Sequence, residues 1–517
     1  MSELVQIRRW AKVLDQSRCI GCHACTTACK SENGVPLGVN RTYVKAVELG
    51  TFPVARRAFQ VTRCNQCDAA PCTVACPTRA MYRRPDGIVD FDKAICIGCK
   101  ACIAACPYDA IFINPEDHSA EKCNFCSHRI DAGLEPACVT VCPTAAIIVG
   151  DLDDPSSPVA RIVARDVVAV RRPDKETYPK VFYKGAHAAT LDPLGARRPG
   201  GGLYMWSEQP RGPGAVPSGH PGHANSSAGA LLAYDVAHHA PWDWRVSLYT
   251  WTKGIAAGVY LVGVLLLVLG AAAPADPLWR WAVPITAAAF VAATGVILIA
   301  DLEHPARFYL IFTRPHAKSW LVRGAFLIAG YSAVLGAHLA MSIIDHGVDP
   351  GADHGAGAGR ASAWLAVLGA PLAAMTAIYT AFLFAQAKAR DLWQSPLLPP
   401  HLVVQAVVVG SAALLLLEPV VAVPHVAVSR LLAAAAAVHV AMALGEITLT
   451  HATAHARLAA REMTAGRYRR VFWLGLALAV VAVAAPWLPI ASPIAALAGV
   501  LAFEHAHVQA GQAVPLA

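Results

Sequence analysis

Residues 18–30 read RCIGCHACTTACK, and residues 96–107 repeat the pattern as CIGCKACIAACP. Each stretch carries four cysteines with two, two and three residues between them. Two more groups of four are wider variants, with four residues before the third cysteine in one and eleven in the other. Together they take up all 16 cysteines of the chain. The four groups are Cys19, Cys22, Cys25 and Cys29; Cys64, Cys67, Cys72 and Cys76; Cys96, Cys99, Cys102 and Cys106; and Cys123, Cys126, Cys138 and Cys142.

This spacing is the ligand pattern of ferredoxin-type iron–sulfur sites. Three closely spaced cysteines in a tight loop reach three corners of a [4Fe–4S] cube, and the fourth ligand must come from elsewhere in the chain. In two-cluster ferredoxins the last cysteine of each run binds the other cluster. The four groups therefore predict four [4Fe–4S] clusters arranged as two pairs.

Other uses of cysteine fit the pattern less well. Disulfides need an oxidising compartment, and structural zinc sites normally use two pairs of ligands rather than four cysteines in eleven residues. Residues 19–23 also form C-x-x-C-H, the signature of covalent haem attachment. Because both cysteines belong to a complete ferredoxin run, we interpret His23 as incidental.

Composition divides the chain of 517 residues, which is 56% hydrophobic and only 15% charged. The cysteine-rich start is polar, residues 197–229 are rich in Gly, Pro and Ser, and long Ala/Val/Leu runs follow. We expect an α+β domain with two ferredoxin-like double-cluster lobes at 1–190. A linker and interfacial segment follows at 191–244, and an all-α bundle of eight transmembrane helices occupies 245–517.

The eight predicted spans are windows of about twenty residues, the length that crosses the hydrocarbon core. The fifth, seventh and eighth are the weakest, because prolines crowd their ends. Aromatic residues before the first span, at Trp242, Trp244, Tyr249 and Trp251, are typical of an interfacial belt. The windows are 250–272, 281–300, 321–343, 363–386, 401–418, 427–449, 471–488 and 491–511.

Loop charges predict the orientation. The connections after spans two, four and six are rich in basic residues. Those after spans one, three, five and seven carry only Arg280, Arg360 and Arg430, and the connection after span three is acidic. By the positive-inside rule the basic connections face the cytoplasm, which places the cluster domain on the cytoplasmic side of the inner membrane. Arg8 and Arg9 do not indicate twin-arginine export, because no apolar stretch follows them. The basic residues after spans two, four and six are Arg307, Arg314, Lys318 and Arg323; Lys388 and Arg390; and Arg457, Arg461, Arg467, Arg469 and Arg470.

The chain has no dinucleotide fingerprint, P-loop or hydrolytic motif, so we expect the substrate chemistry on another subunit. A cluster domain joined to a membrane bundle indicates electron transfer to or from a quinone, which also exchanges protons. Ionisable residues at membrane depth are candidates for that site, although each is about equally explained by snorkelling to water. The predicted quinone and proton site contains Lys253, Asp301, Arg323, His401, Gln405, Glu446, His451 and Glu504.

Two deeper histidines, His338 and His439, raise the alternative of a haem b held between helices. They lie at different predicted depths. We therefore favour packing or proton-path roles and expect no haem.

The sequence resembles two known families. Residues 11–185 are similar to the four-cluster subunit of the complex iron–sulfur molybdoenzymes, the group that includes dimethyl sulfoxide reductase and polysulfide reductase. The motifs are RCIGCHACTTACK, RCNQCDAAPCTVACPT, CIGCKACIAACPYDAI, KCNFCSHRI and CVTVCPTAAI. Residues 245–511 resemble the NrfD or polysulfide-reductase type of quinone-binding anchor through ADLEHPARFYLIFTRPHAKSWLVRGAF at 300–326. Many relatives keep the two parts on separate chains.

The resemblance implies a cross-pairing of the ligands. Each site then takes three cysteines from one group and the last cysteine of another. The implied sets are Cys19, Cys22 and Cys25 with Cys142; Cys123, Cys126 and Cys138 with Cys29; Cys64, Cys67 and Cys72 with Cys106; and Cys96, Cys99 and Cys102 with Cys76.

The resemblance favours an electron-transfer and quinone-binding subunit that works with a molybdenum or tungsten pterin catalytic subunit and with menaquinone or ubiquinone. Two alternatives remain open. One is the equivalent subunit of a membrane hydrogenase or heterodisulfide-reductase-like complex. The other is a redox-gated ion transporter.

Overall fold

The computed structural model describes residues 8–50, 53–197, 226–347 and 360–517, together with residues 216 and 219. An N-terminal α/β part is followed by a helical part with six long apolar helices. Residues 198–215 of the predicted linker, and Asp349 and Asp353 of the acidic loop, lie outside the described residues.

The strands of the N-terminal part form two sheets and two short ribbons. One sheet has the order β8-β1-β10-β9, the other β11-β2-β3, and the ribbons are β4-β5 and β6-β7. The strands are β1 (Trp10–Asp15), β2 (Thr42–Leu49), β3 (Arg56–Arg63), β4 (Met81–Arg83), β5 (Val89–Phe91), β6 (Ile111–Ile113), β7 (Ala120–Lys122), β8 (Ile147–Asp151), β9 (Val168–Ala169), β10 (Val181–Lys184) and β11 (Leu231–Tyr234).

Strand β1 joins the start of the domain to its end. It pairs in parallel with β10 and antiparallel with β8. Successive side chains of a strand point to opposite faces, so β1 is buried on both. Val13 packs with Val159 on one face, whereas Leu14 packs with Cys25 and Cys138 on the other. The sheet thus brings the first and fourth cysteine groups together.

Several of the short N-terminal helices carry cysteines of the four runs. Cys25 and Cys29 lie on one helix, and Cys72 and Cys102 lie on others, each of which ends directly before the last cysteine of its run. The helices are α1 (Ala24–Asn33), α2 (Pro71–Ala75), α3 (Ala101–Ala105), α4 (Ser127–Asp131), α5 (Ala137–Thr140), α6 (Pro158–Arg165) and α7 (Ala188–Leu191).

The end of the predicted linker is part of the N-terminal fold. Residues 231–234 form β11, which pairs antiparallel with β2. The segment before the first membrane helix therefore belongs to a sheet of the N-terminal part, a pairing that no local sequence signal indicates.

The helical part contains six helices that are long and apolar enough to cross a membrane, and they correspond to the first six predicted spans. The predicted seventh and eighth spans correspond to α16, which has only 15 residues, and α17, and the count of eight spans stays a prediction. The helices are α8 (Trp244–Val268), α9 (Val283–Ala300), α10 (Leu310–Thr313), α11 (Trp320–Gly347), α12 (Arg360–Gln386), α13 (Leu398–Leu416), α14 (His425–Thr448), α15 (Ala454–Thr464), α16 (Arg469–Val483) and α17 (Ala491–Gln512).

Helices α8 and α13 approach closely through facing glycines. A Cβ atom on Gly258 would lie 1.8 Å from the carbonyl oxygen of Ala406, and one on Gly410 would lie 2.2 Å from the carbonyl carbon of Gly258. Small residues allow such backbone contact in membrane proteins, where lipid supplies no hydrophobic force between helices. This contact fixes α8 at the centre of the bundle.

The N-terminal part lies against one end of the bundle, at the connections that follow α9, α12 and α14. Arg307 donates to the carbonyl oxygens of Lys93 and Cys96, both at 2.9 Å. Lys175 forms an ion pair with Asp391 in the second connection. These are the connections with the basic residues, so the cysteine-rich part and the basic loops share one end of the bundle.

Candidate functional site

The cysteine loops share one backbone feature. In each of the four groups, the residue before the second cysteine has a positive φ: Gly21 (71°), Gln66 (48°), Gly98 (69°) and Phe125 (68°). A left-handed residue there curls the loop, so that consecutive sulfurs point to a common centre. Side chains larger than glycine occupy two of the four positions. The conformation is therefore imposed by the loop as a whole.

Electrostatic interactions between the thiols agree with the four sets that cross-pairing implies, and we number these candidate sites from the exposed end towards the membrane part. Site 1 is Cys19, Cys22, Cys25 and Cys142; site 2 is Cys29, Cys123, Cys126 and Cys138; site 3 is Cys64, Cys67, Cys72 and Cys106; and site 4 is Cys76, Cys96, Cys99 and Cys102.

The proximity within each set is visible in the thiol pKa values. Burial is the largest cause that raises the pKa of a thiol in each site, and neighbouring thiols raise it further. Metal binding replaces these protons, so crowded buried thiols of this kind fit a metal-cluster site. The interacting thiols are Cys19 with Cys142 and Cys22; Cys29 with Cys123, Cys138 and Cys126; Cys67 with Cys64 and Cys106; and Cys99 with Cys76 and Cys96.

Backbone amides donate to several of the sulfurs. The N–H of Ala146 lies 3.2 Å from Cys142 Sγ, that of Met81 3.3 Å from Cys76 Sγ, and that of Ala120 3.4 Å from Cys96 Sγ. Such bonds favour thiolates. Within the described ranges no three His, Cys, Asp or Glu side chains converge closely enough to hold a single metal ion. A cube of four irons holds its four thiolates further apart than a single zinc ion does, because Zn–S bonds are only about 2.3 Å long.

The four sites form a row. Electrostatic interactions between thiols of successive sites connect them, and they relate Cys25 to Cys138, Cys123 to Cys64, and Cys102 to Cys72. At one end of the row Cys22 is exposed, and at the other Cys99 lines a cavity of the membrane part.

That cavity has a volume of about 250 Å³ and mostly apolar walls from α8, α9, α11 and α12. Asp301 at the end of α9 is 8% exposed, and its Oδ1 has no hydrogen-bond partner in the described part of the chain; the nearest cation is Arg245 at 4.0 Å. Tyr249 and Tyr379 also line the cavity. The site therefore combines an apolar chamber, one carboxyl group and two tyrosine rings beside a site 4 cysteine.

Lys253 lies behind the cavity wall. Its Nζ is 4.7 Å from the centre of the Tyr379 ring and donates to Ala377 O at 2.9 Å and Thr380 Oγ1 at 2.6 Å. Its charge interacts with that of Glu504 on α17. Of the predicted quinone and proton residues, Asp301 lines the cavity, and Lys253 and Glu504 are buried behind it, where their charges interact.

The other predicted residues lie elsewhere. His401 Nε2 is 2.8 Å from His439 Nδ1, and Glu446 Oε1 is 3.7 Å from His507 Nδ1. The ring of Phe503 lies between these two pairs. They form a buried polar cluster on α13, α14 and α17.

The remaining three predicted residues also lie away from the cavity lining. Gln405 is buried in α13 with Oε1 unpaired among the described residues, and His451 follows the end of α14. Arg323 is exposed and donates from Nε to Ala317 O at 2.8 Å.

Sequence reasoning missed three cavity residues. Trp242 and Tyr249 were expected in an interfacial belt, yet they are 5% and 3% exposed and line the cavity. Trp242 Nε1 donates to Cys99 O at 3.2 Å. Tyr379 lies within an apolar window. Only the packing of the N-terminal part on the bundle distinguishes these rings from lipid-facing aromatics.

Comparison with known families agrees with this division. Residues 235–514 match the family "Polysulphide reductase, NrfD", residues 55–152 a "4Fe-4S dicluster domain", and residues 10–31 a "4Fe-4S binding domain".

Curated relatives match about a third of the chain. One subunit of the tetrathionate reductase of Salmonella typhimurium is 45% identical over 198 residues, which cover 37% of this chain and 77% of that protein. One component of the polysulfide reductase of Wolinella succinogenes is 41% identical over 178 residues, 34% of this chain and 93% of the relative. Protein NrfC of Escherichia coli is 42% identical over 177 residues, 34% and 79% respectively. The chain thus belongs to the NrfD polysulphide-reductase family of integral membrane proteins, and it carries a 4Fe-4S electron-transfer subunit fused to that anchor.

Proposed function

We propose that this chain carries electrons between a molybdenum or tungsten pterin subunit and the membrane quinone pool through four [4Fe–4S] clusters. The observation that supports this most directly is the row of cysteine sites, which ends with Cys99 at the wall of the Asp301 cavity. Clusters bound there would supply one-electron carriers from the surface to the membrane.

The chain's own residues would hold these carriers by cross-pairing. In every site, three thiols would come from one run and the fourth would be the last cysteine of another run, which the interactions between the thiols support. Cys76 and Cys106, the last cysteines of the second and third runs, directly follow the ends of α2 and α3, where the chain turns away from its own loop.

We propose the cavity as the quinone site. Its apolar walls suit a prenylated ring, and binding sites of this kind are largely apolar with few polar groups. Reduction of a quinone to a quinol takes two electrons and two protons. The Asp301 carboxyl would exchange one proton with a headgroup oxygen. Lys253 and Glu504, behind Tyr379, would relay protons to and from the cavity.

The cluster of His401, His439, Glu446 and His507 would extend this path, with Gln405 and His451 as further polar positions. We propose that the N-terminal part faces the cytoplasm and that eight helices span the inner membrane. The shared end of the cysteine-rich part and the basic loops supports that orientation. With eight helices the C-terminus also faces the cytoplasm, so green fluorescent protein fused after Ala517 should fluoresce. A dark fusion at normal protein levels would indicate the opposite orientation.

The catalytic partner would dock at the exposed end of the row, near Cys22. Relatives named as parts of tetrathionate and polysulfide reductases support a partner of this class. Co-purification decides between the classes. Molybdenum or tungsten in the partner supports the proposal, whereas nickel or a second iron–sulfur protein would favour the hydrogenase or heterodisulfide-reductase alternative.

A quinone test uses the purified complex in detergent. Its clusters are reduced with dithionite, excess reductant is removed, and a menaquinone or ubiquinone analogue is added while cluster absorbance is followed. We expect reoxidation, and slower reoxidation in Asp301→Asn. Glu418→Gln is the matched control, because Glu418 is a half-exposed carboxylate that pairs with His425 at the other end of the bundle. Full clusters that no quinone reoxidises would contradict the proposal and favour a redox-gated transporter.

A further inference from the structure

Two buried cations lie against one of the four cysteine sites. Arg63 at the end of β3 donates from Nη1 to Cys138 Sγ at 3.1 Å, and Lys12 on β1 approaches the same sulfur with Nζ at 3.7 Å. The two residues are 2% and 1% exposed. Both charged groups are therefore shielded from water and lie against site 2.

Carboxylates do not neutralise these charges. In the described part of the chain, neither cation forms an ion pair within 4.0 Å, and Nε and Nη2 of Arg63 have no hydrogen-bond partner. Arg41 and Lys180, by contrast, pair with Glu121 at 2.6 Å and with Asp68 at 3.1 Å. Lys122 is also buried and acts on Cys64 and Cys72 of site 3, but its hydrogen bonds go to the carbonyl oxygens of Val89 and Cys123. An unpaired buried charge is strongly unfavourable. A negatively charged cluster at site 2 is the counter-ion that this arrangement requires.

A third side chain adds donors to site 2. Asn33 Nδ2 lies 3.6 Å from Cys29 Sγ and 3.7 Å from Cys126 Sγ. The sulfurs of site 2 therefore receive one guanidinium, one ammonium and one amide group.

Site 4 at the membrane end differs in the charge beside it. Its sulfurs accept from the backbone N–H groups of Met81 and Ala120, and the carboxyl group of Asp301 interacts with Cys99. A nearby negative charge disfavours further negative charge on a cluster, whereas a nearby cation favours it.

From this asymmetry we propose that Arg63 and Lys12 give site 2 the highest reduction potential of the row. The inference rests on the proposed function, because it concerns the clusters assigned there. Reduction adds one electron to a cluster that already carries negative charge, and potentials rise with nearby positive charge and with hydrogen bonds to the sulfurs. The first electron that enters from a donor such as dithionite should therefore reside at site 2, between the exposed end and the membrane end.

The position of Arg63 extends its effect to the adjacent site. Its charge also acts on Cys25 of site 1, although the hydrogen bond goes to site 2. Loss of this charge should shift site 2 most and site 1 less, and it should leave site 4 unchanged.

The test is a redox titration of the purified complex followed by electron paramagnetic resonance. In Arg63→Gln we expect the highest-potential component to shift to more negative potential, while iron content and integrated signal stay at the level of the unmodified protein. Arg63→Lys should restore most of the potential. Arg57→Gln is the matched control, because Arg57 lies on the same strand but is half exposed and pairs with Glu48.

The outcomes separate this inference from the proposed function. Iron and signal for fewer than four clusters in the unmodified protein would overturn the proposed function. Four clusters with no shift in Arg63→Gln, or a shift confined to a low-potential component, would overturn the inference alone. If Arg63→Gln assembles incompletely, Lys12→Gln decides, and it should shift the same component in the same direction.

Discussion

Glu303 Oε1 lies 2.9 Å from Lys100 Nζ and joins the connection after α9 to the residue that follows Cys99. The backbone N–H of His304 also donates to Ile97 O at 3.2 Å. The loop of site 4 and the membrane part are therefore one packed unit, and the distance from site 4 to the Asp301 cavity is set by direct contact.

This contact makes Gly98 sensitive to substitution. Gly98 has a φ of 69°, and an added Cβ would lie 2.3 Å from Glu303 Cβ. In Gly98→Ala we expect site 4 to lose occupancy or to become much slower in exchange with quinone, while the other sites remain. Iron content and quinone-dependent reoxidation measure this. Gly38→Ala is the control, because Gly38 has a φ of 83° with nothing within 4 Å, so only backbone strain of about 1–2 kcal/mol arises.

Lys253 should matter for quinone turnover rather than for cluster assembly. Removing a group that transfers a proton costs on the order of 100-fold in rate. We expect a decrease of that order for Lys253→Met in quinone turnover, with unchanged iron content. Arg323→Gln, which alters an exposed cation, should have little effect. Unchanged turnover in Lys253→Met, Glu446→Gln and His451→Gln together would show that the proton path is wrongly placed.

Cross-pairing predicts which cysteine substitutions act alike. Cys76 belongs to the second run of the sequence, but it lies with Cys99 and Cys96 in site 4. Cys76→Ser and Cys99→Ser should therefore alter the same component of the paramagnetic resonance spectrum, whereas Cys67→Ser should alter another. If Cys76→Ser and Cys67→Ser changed one component together, each run would hold its own cluster and the pairing would be wrong.

Alkaline pH should loosen the segment that leads into α8. Burial alone would lower the pKa of His238, but Asp109 and Asp235 outweigh it and raise the pKa to about 10. Arg390 faces Asp109 and Lys45 faces Asp235. A pKa raised above the unfolded value of about 6.5 contributes stability below that pH and loses it as the pH rises towards 10.

Thermal unfolding at pH 6 and pH 9.5 measures this effect. His238→Gln should be less stable than the unmodified protein at pH 6 and close to it at pH 9.5. An equal difference at both pH values would show that the charge of His238 is not what stabilises the segment.

Removal of iron should unfold the N-terminal part selectively. Cysteines of sites 3 and 4 form much of a buried cluster with Tyr108 and Met81, so loss of the metal leaves crowded thiols in the core. After oxidative cluster destruction and chelation, limited proteolysis should remove the N-terminal part and leave fragments of α8 to α17 intact. Equal resistance of both parts would indicate a domain that folds without its clusters.

Local patterns in the sequence were sufficient for several features. The run of residues 18–30, its repeat and its two wider variants indicate the cluster ligands, because tight loops of closely spaced thiols have few other uses. Apolar windows gave the six long helices, since crossing a bilayer fixes both length and composition. The resemblance to an iron–sulfur subunit joined to an NrfD-type anchor is confirmed by the family matches.

The cavity and the charges around the sites were decided only by tertiary structure. Tyr249 and Tyr379 are 130 positions apart in sequence and meet because α8 packs beside α12. Arg63 and Cys138 meet because β3 is brought beside the fourth cysteine run. The identity of the cluster ligands follows from short-range spacing in the sequence, which folding does not change. The surroundings that set potentials and proton transfer depend on long-range packing, which no local pattern records.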